Sequence, residues 1–142
     1  MIHVQRNTIV GAKITHVLRT PWKTYDRVDS CSVFVLLDNG YAIELSNAGD
    51  GFSEQPLPAM RCEELVLAEL EEDEAASQVT GQTITEVLVP FRGPFWTVGL
   101  ALSNGMFLSF ADQSSHVMGS IVDDSTSYTG DMLTYWGHGD FQ

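Results

Sequence analysis

The sequence predicts an α+β domain, mainly antiparallel β-sheet, made of two duplicated three-stranded meanders with one connecting acidic helix. Three observations lead there. The block "GAKITHVL" at residues 11–18 recurs as "GQTITEVL" at 81–88, an offset of seventy, with Gly, Ile, Thr, Val and Leu in the same places. A second block, "VFVLLDNGYAIEL" at 33–45, recurs as "VGLALSNGMFLSF" at 98–110, offset by sixty-five. Between the copies, "EELVLAELEEDE" at residues 63–74 places seven carboxylates in twelve positions.

Each element has its own justification. "KITHVL" and "TITEVL" alternate and are rich in branched side chains, as half-buried strands require. The loops that follow, "RTPWKTYDRVD" and "VPFRGPFW", carry Pro and aromatics and absorb the five-residue difference between the two offsets. Asn39-Gly40 and Asn104-Gly105 sit between apolar runs and predict tight hairpins whose two central residues take positive φ. The repeats thus cover about 11–45 and 81–110 of a single domain spanning 1–142.

The connecting segment, about 58–77, reads as the helix. Pro58 is tolerated near its start, Gly81 suits its stop, and Cys62, Leu65, Val66 and Leu70 form one apolar stripe. Val66, Ala68 and Leu70 also fit an alternating strand, which would confine the helix to about 71–77. After the second copy, "SSHVMGSIVDDSTSYTGDML" and "TYWGHGDFQ" supply a strand or two and an aromatic end.

A chain of 142 residues with 44% hydrophobic side chains can bury a core without a metal or disulfide staple, so its net charge of −12 belongs to a folded surface. Residues 1–61 hold six acidic and six basic side chains, whereas residues 62–142 hold thirteen carboxylates and one cation, Arg92. The imbalance therefore forms an acidic face, which repels nucleic acid and anionic membrane and argues against either as a direct ligand. "MIHVQRNTIVGAKI" has no basic segment leading into an apolar stretch, and the run Val33 to Leu37 is too short to cross a bilayer. The expected compartment is the cytoplasm, where Cys31 and Cys62 are reduced structural thiols; a disulfide between them would require export.

The chain carries no phosphate-binding glycine loop, no dinucleotide fingerprint, no His-Glu-x-x-His and no nucleophile elbow, so the expectation is a protein that is not an enzyme and needs no cofactor. Asp112, His116, Asp123, Asp124, Asp131, His138 and Asp140 have metal-ligating side chains, but their spacing follows no ligand pattern and also fits solvated turns. Binding chemistry is better represented. The carboxylates of the connecting segment have no Lys or Arg three or four residues on, so their crowding brings no local return. A basic partner supplies that return, because complementary potentials speed encounter and fix register. Glu69, Glu71, Glu72, Asp73 and Glu74, with Asp123 and Asp124, are therefore candidate partner-binding residues. Large aromatics beside Pro in loops either cap the core or anchor an interface. Trp96, which precedes a strand, suits the first role, and Tyr135 and Trp136 suit the second.

In size, acidity, lack of a signal segment, repeated "G-x-x-I-T-x-V-L" and "L-x-N-G" blocks and absence of a catalytic motif, the chain resembles the small acidic cytosolic immunity proteins of bacterial polymorphic-toxin systems. The resemblance covers the whole chain at the level of the class and carries over no residue. It implies a protein that binds a cognate toxin domain with a basic surface and neutralises it by occluding its active site. Two other readings stay open: a nucleic-acid mimic that inhibits a host defence nuclease through the same acidic face, and a metal-dependent enzyme with its metal in the region of His116 and Asp124.

Overall fold

The structure, a computed structural model, describes residues 2–4, 6–21, 32–46, 57–90, 99–114, 117–124 and 133–135. Each half of the chain follows one plan. A four-residue helix, α1 (Arg6–Ile9) or α2 (Ala76–Val79), leads through Gly11 or Gly81 into a long strand, β2 (Ile14–Arg19) or β7 (Ile84–Pro90). Then come β3 (Ser32–Leu37) and β4 (Tyr41–Ser46) in the first half, β8 (Gly99–Leu102) and β9 (Met106–Ser114) in the second. A further antiparallel strand follows each meander, β5 (Leu57–Arg61) on β4 and β10 (Val117–Asp124) on β9. With the short strands β1 (Ile2–Val4), β6 (Glu71–Glu72) and β11 (Leu133–Tyr135), the sheets run β1-β5-β4-β3-β2-β6 and β10-β9-β8-β7-β11.

The two halves meet through backbone bonds that exchange with one another. The Gly11 N–H donates to the Ile84 carbonyl and the Gly81 N–H to the Ile14 carbonyl, both at 2.8 Å. The Ile14 N–H donates to Gln82 at 2.9 Å and the Ile84 N–H to Ala12 at 2.8 Å. Lys13 and Thr83 face each other in an antiparallel bridge between these bonds. Positive φ at Gly11 (+97°) and Gly81 (+90°) aims the donors across the junction, a conformation that any side chain would penalise. Both long strands also shift register at the same step, between Ile14 and His16 and between Ile84 and Glu86.

The core lies between the sheets. Val33, Val35 and Leu37 of β3 and Ile43 and Leu45 of β4 face Leu100, Leu102 and Leu108 of β8 and β9, with Ile9 and Val79 of the helices in the same cluster. Because side chains alternate along a strand, Phe34 and Leu36 point to the other face of the first sheet. There they form a second cluster with Ala42, against which Leu18, Met60, Cys62, Leu65 and Leu70 pack. Burial on both faces explains why β3 reads as an unbroken apolar run.

The largely antiparallel sheet is as expected, but several elements differ. No helix spans 58–77: Pro58 lies in β5, Cys62–Glu64 and Leu67–Glu69 are 3-10 turns, Glu71–Glu72 is a strand, and α2 begins only at Ala76. A helix there would stack seven carboxylates without intervening cations, whereas the observed turns still lay Cys62, Leu65 and Leu70 on Phe34 and Leu36. The Asn-Gly hairpins form, but Asn39 and Asn104 keep negative φ and only Gly40 (+91°) and Gly105 (+85°) are positive. With Gly40 N–H bonded to Leu37 at 3.2 Å and Gly105 N–H to Leu102 at 3.0 Å, these are three-residue loops ending in a left-handed Gly. Each Asn is free to clasp its own half: Asn39 Nδ2 donates to the Thr8 carbonyl at 2.8 Å, and Asn104 Nδ2 to the Gln78 carbonyl at 3.4 Å. No helix among the described residues is long and apolar enough to cross a membrane.

Candidate partner-binding surface

The acidic segment is a strap laid over the outer face of the first sheet. It leaves β5 by the bond from the Cys62 N–H to the Gly40 carbonyl, 2.8 Å, and turns twice through Leu65 N–H to Cys62 and Leu70 N–H to Leu67, each 3.1 Å. Cys62, Leu65 and Leu70 point inward onto the Phe34 cluster. Glu63, Glu64, Val66, Leu67, Ala68 and Glu69 are exposed. At the start of the strap, Arg61 lies over the Tyr41 ring, 4.9 Å from its centroid, and its Nε is 4.0 Å from Glu63. Cys62 is a free, half-buried thiol.

The far end of the strap is anchored by one arginine. Register pairs Leu18 with Glu72 and Arg19 with Glu71, and beyond the bulge Arg19 shares the inward side of β2 with Val17. The Arg19 guanidinium, 11% exposed, lies 2.7 Å from Glu71 and 3.8 Å from Asp73. Asp73 is itself buried; its N–H donates to Val17 at 2.9 Å, and its Oδ2 accepts from the Ala75 N–H at 2.9 Å, shaping the turn into α2. Two of the seven carboxylates thus serve the fold.

The nine candidate residues divide accordingly. Glu69, Glu72 and Glu74 are exposed, Glu71 is engaged by Arg19 while 45% exposed, and Asp73 is buried beside Arg19. Asp123 and Asp124 lie on β10, opposite Phe107 and Met106, and Tyr135 lies on β11 at the other edge of the same sheet. Four strand spacings, about 19 Å, separate those edges. Trp136 lies outside the described residues, as do Trp96, Cys31, His116, Asp131, His138 and Asp140. Asp112 pairs with Met118 whereas Asp124 pairs with Met106, so the two register positions lie six residues apart along β9, or about 20 Å. Among the described residues no group of three or more His, Cys, Asp or Glu could hold a metal ion.

Sequence reasoning passed over Glu63, Glu64, Val66 and Leu67 as contact residues. The signal available was the Val-Leu step itself, an apolar pair with carboxylates on both sides. Read on a helix, Val66 joins the inward stripe; on the strap it does not. Comparison of the chain with protein-family models, with curated proteins and with solved structures found no match.

Proposed function

We propose that the protein is a cytoplasmic immunity protein, acting without cofactor or catalysis, that docks its acidic strap on a cognate bacterial toxin domain and occludes that domain's active site. The observation that carries this reading is the exposure of Glu63, Glu64, Glu69, Glu72 and Glu74 along one ordered stretch pinned at its end by Arg19. Carboxylates held on a fixed frame present a defined negative surface at small entropic cost to the complex. A cationic partner is drawn to it and oriented by it before contact.

The two halves are, on the same reading, copies of one ancestral unit. The exchangeable bonds between Gly11 and Ile84 and between Gly81 and Ile14 support this, as do the matching register shifts in β2 and β7. The strap then belongs to the junction between copies, a segment free to acquire a binding role without disturbing either meander.

Co-expression tests the function. The reading frame beside this gene is induced in a bacterial host with and without this protein, and survivors are counted. Restored growth with co-elution of the two proteins is the expected result. Equal killing in both cultures, or a harmless neighbour, would overturn the reading.

A further inference from the structure

We propose that Val66 and Leu67 are the apolar anchor of this surface, seated in the complex in an apolar recess of the partner rimmed by Lys and Arg; the proposal rests on the binding reading above. They are the large hydrophobic side chains left exposed among the described residues, each at 57%. Scattered single exposures are ordinary, but here two neighbours stand together midway along the strap. The strap's other large apolar side chains, Cys62, Leu65 and Leu70, are spent on the Phe34 cluster, and the Val66-Leu67 step that opens the second 3-10 turn is left exposed.

The surroundings specify the occupant. Glu63 and Glu64 precede the pair and Glu69 follows it, all exposed, so an apolar centre lies within an acidic rim. A second copy of this chain would press two such rims together at a net charge of −12 each, and an anionic bilayer would be repelled in the same way. A protein surface with cationic side chains around an apolar recess satisfies both parts. The roles then divide: the carboxylates set the rate of encounter, and the buried Val-Leu pair sets the lifetime of the complex.

The test uses a catalytically inactivated toxin domain from the neighbouring reading frame as the probe, with association and dissociation followed over a range of salt concentrations. The double variant V66S/L67S is expected to dissociate at least about tenfold faster, with an association rate and salt slope close to wild type. Its thermal melt should superimpose on wild type, because neither side chain is buried. Unchanged dissociation of V66S/L67S beside a wild-type protein that binds would overturn the anchor and leave the immunity reading standing. Failure of the wild-type protein to bind at any salt concentration would overturn the immunity reading, and the anchor with it.

Discussion

Arg19 and Glu71 are register partners on β2 and β6, and their side chains meet at 2.7 Å where the acidic strap returns to the sheet. With Asp73 behind them, this contact joins the first half of the molecule to the start of the second.

The energetic weight of that junction falls on the buried members. Arg19→Met leaves the Asp73 carboxylate in the interior without its cation and should destabilise the fold by about 3 kcal/mol. Glu71→Gln removes a partner whose side chain is 45% exposed and should cost less than about 1 kcal/mol. Glu72→Gln, on the solvated side, should stay within about 0.5 kcal/mol of wild type. Urea unfolding of the three variants checks the order.

At the central junction, the expected effect is one of backbone conformation alone. A Cβ on Gly11 or Gly81 would meet nothing within 4 Å, so Ala at either site suffers no clash but must hold a left-handed φ. Each substitution should cost about 1–2 kcal/mol, and Asn at the same site should cost less. Thermal melts of Gly11→Ala, Gly81→Ala and the two Asn variants measure both quantities.

The hairpin clasps should differ in strength. Asn39→Ala releases a 2.8 Å bond to Thr8 and should cost about 1 kcal/mol, whereas Asn104→Ala releases a 3.4 Å bond to Gln78 and should cost less. Hydrogen exchange at the α1 and α2 turns, compared between the two variants, reports the same order locally.

The parts of this fold legible in the sequence are those fixed by neighbours in the chain. The recurring blocks fall on β2 to β4 and β7 to β9, because period-two alternation and Asn-Gly loops are local signals. The form of those loops was not legible, since Asn39 spends its side chain on Thr8, far away in sequence. Nor was the strap: Cys62, Leu65 and Leu70 satisfy a helical stripe as well as a covering loop, and the apolar outer face of β3 that they cover lies far away in sequence. The same distance hid the fate of the candidate site. Nothing near Glu71 or Asp73 in the chain announces Arg19, so two carboxylates that serve the fold looked the same as three that face solvent.

That distinction sharpens the test of the acidic surface. Reversing Glu71 or Asp73 would break the Arg19 junction and confuse folding with binding, whereas Glu69, Glu72 and Glu74 can be changed with the frame intact. The most direct measurement is the association rate of Glu69→Lys/Glu72→Lys/Glu74→Lys with the inactivated toxin domain, over roughly 0.05–0.5 M salt. The account predicts a rate lower by about tenfold or more at low salt, with a flatter salt dependence than wild type. An unchanged rate and slope would show that the strap is not the surface through which the partner arrives.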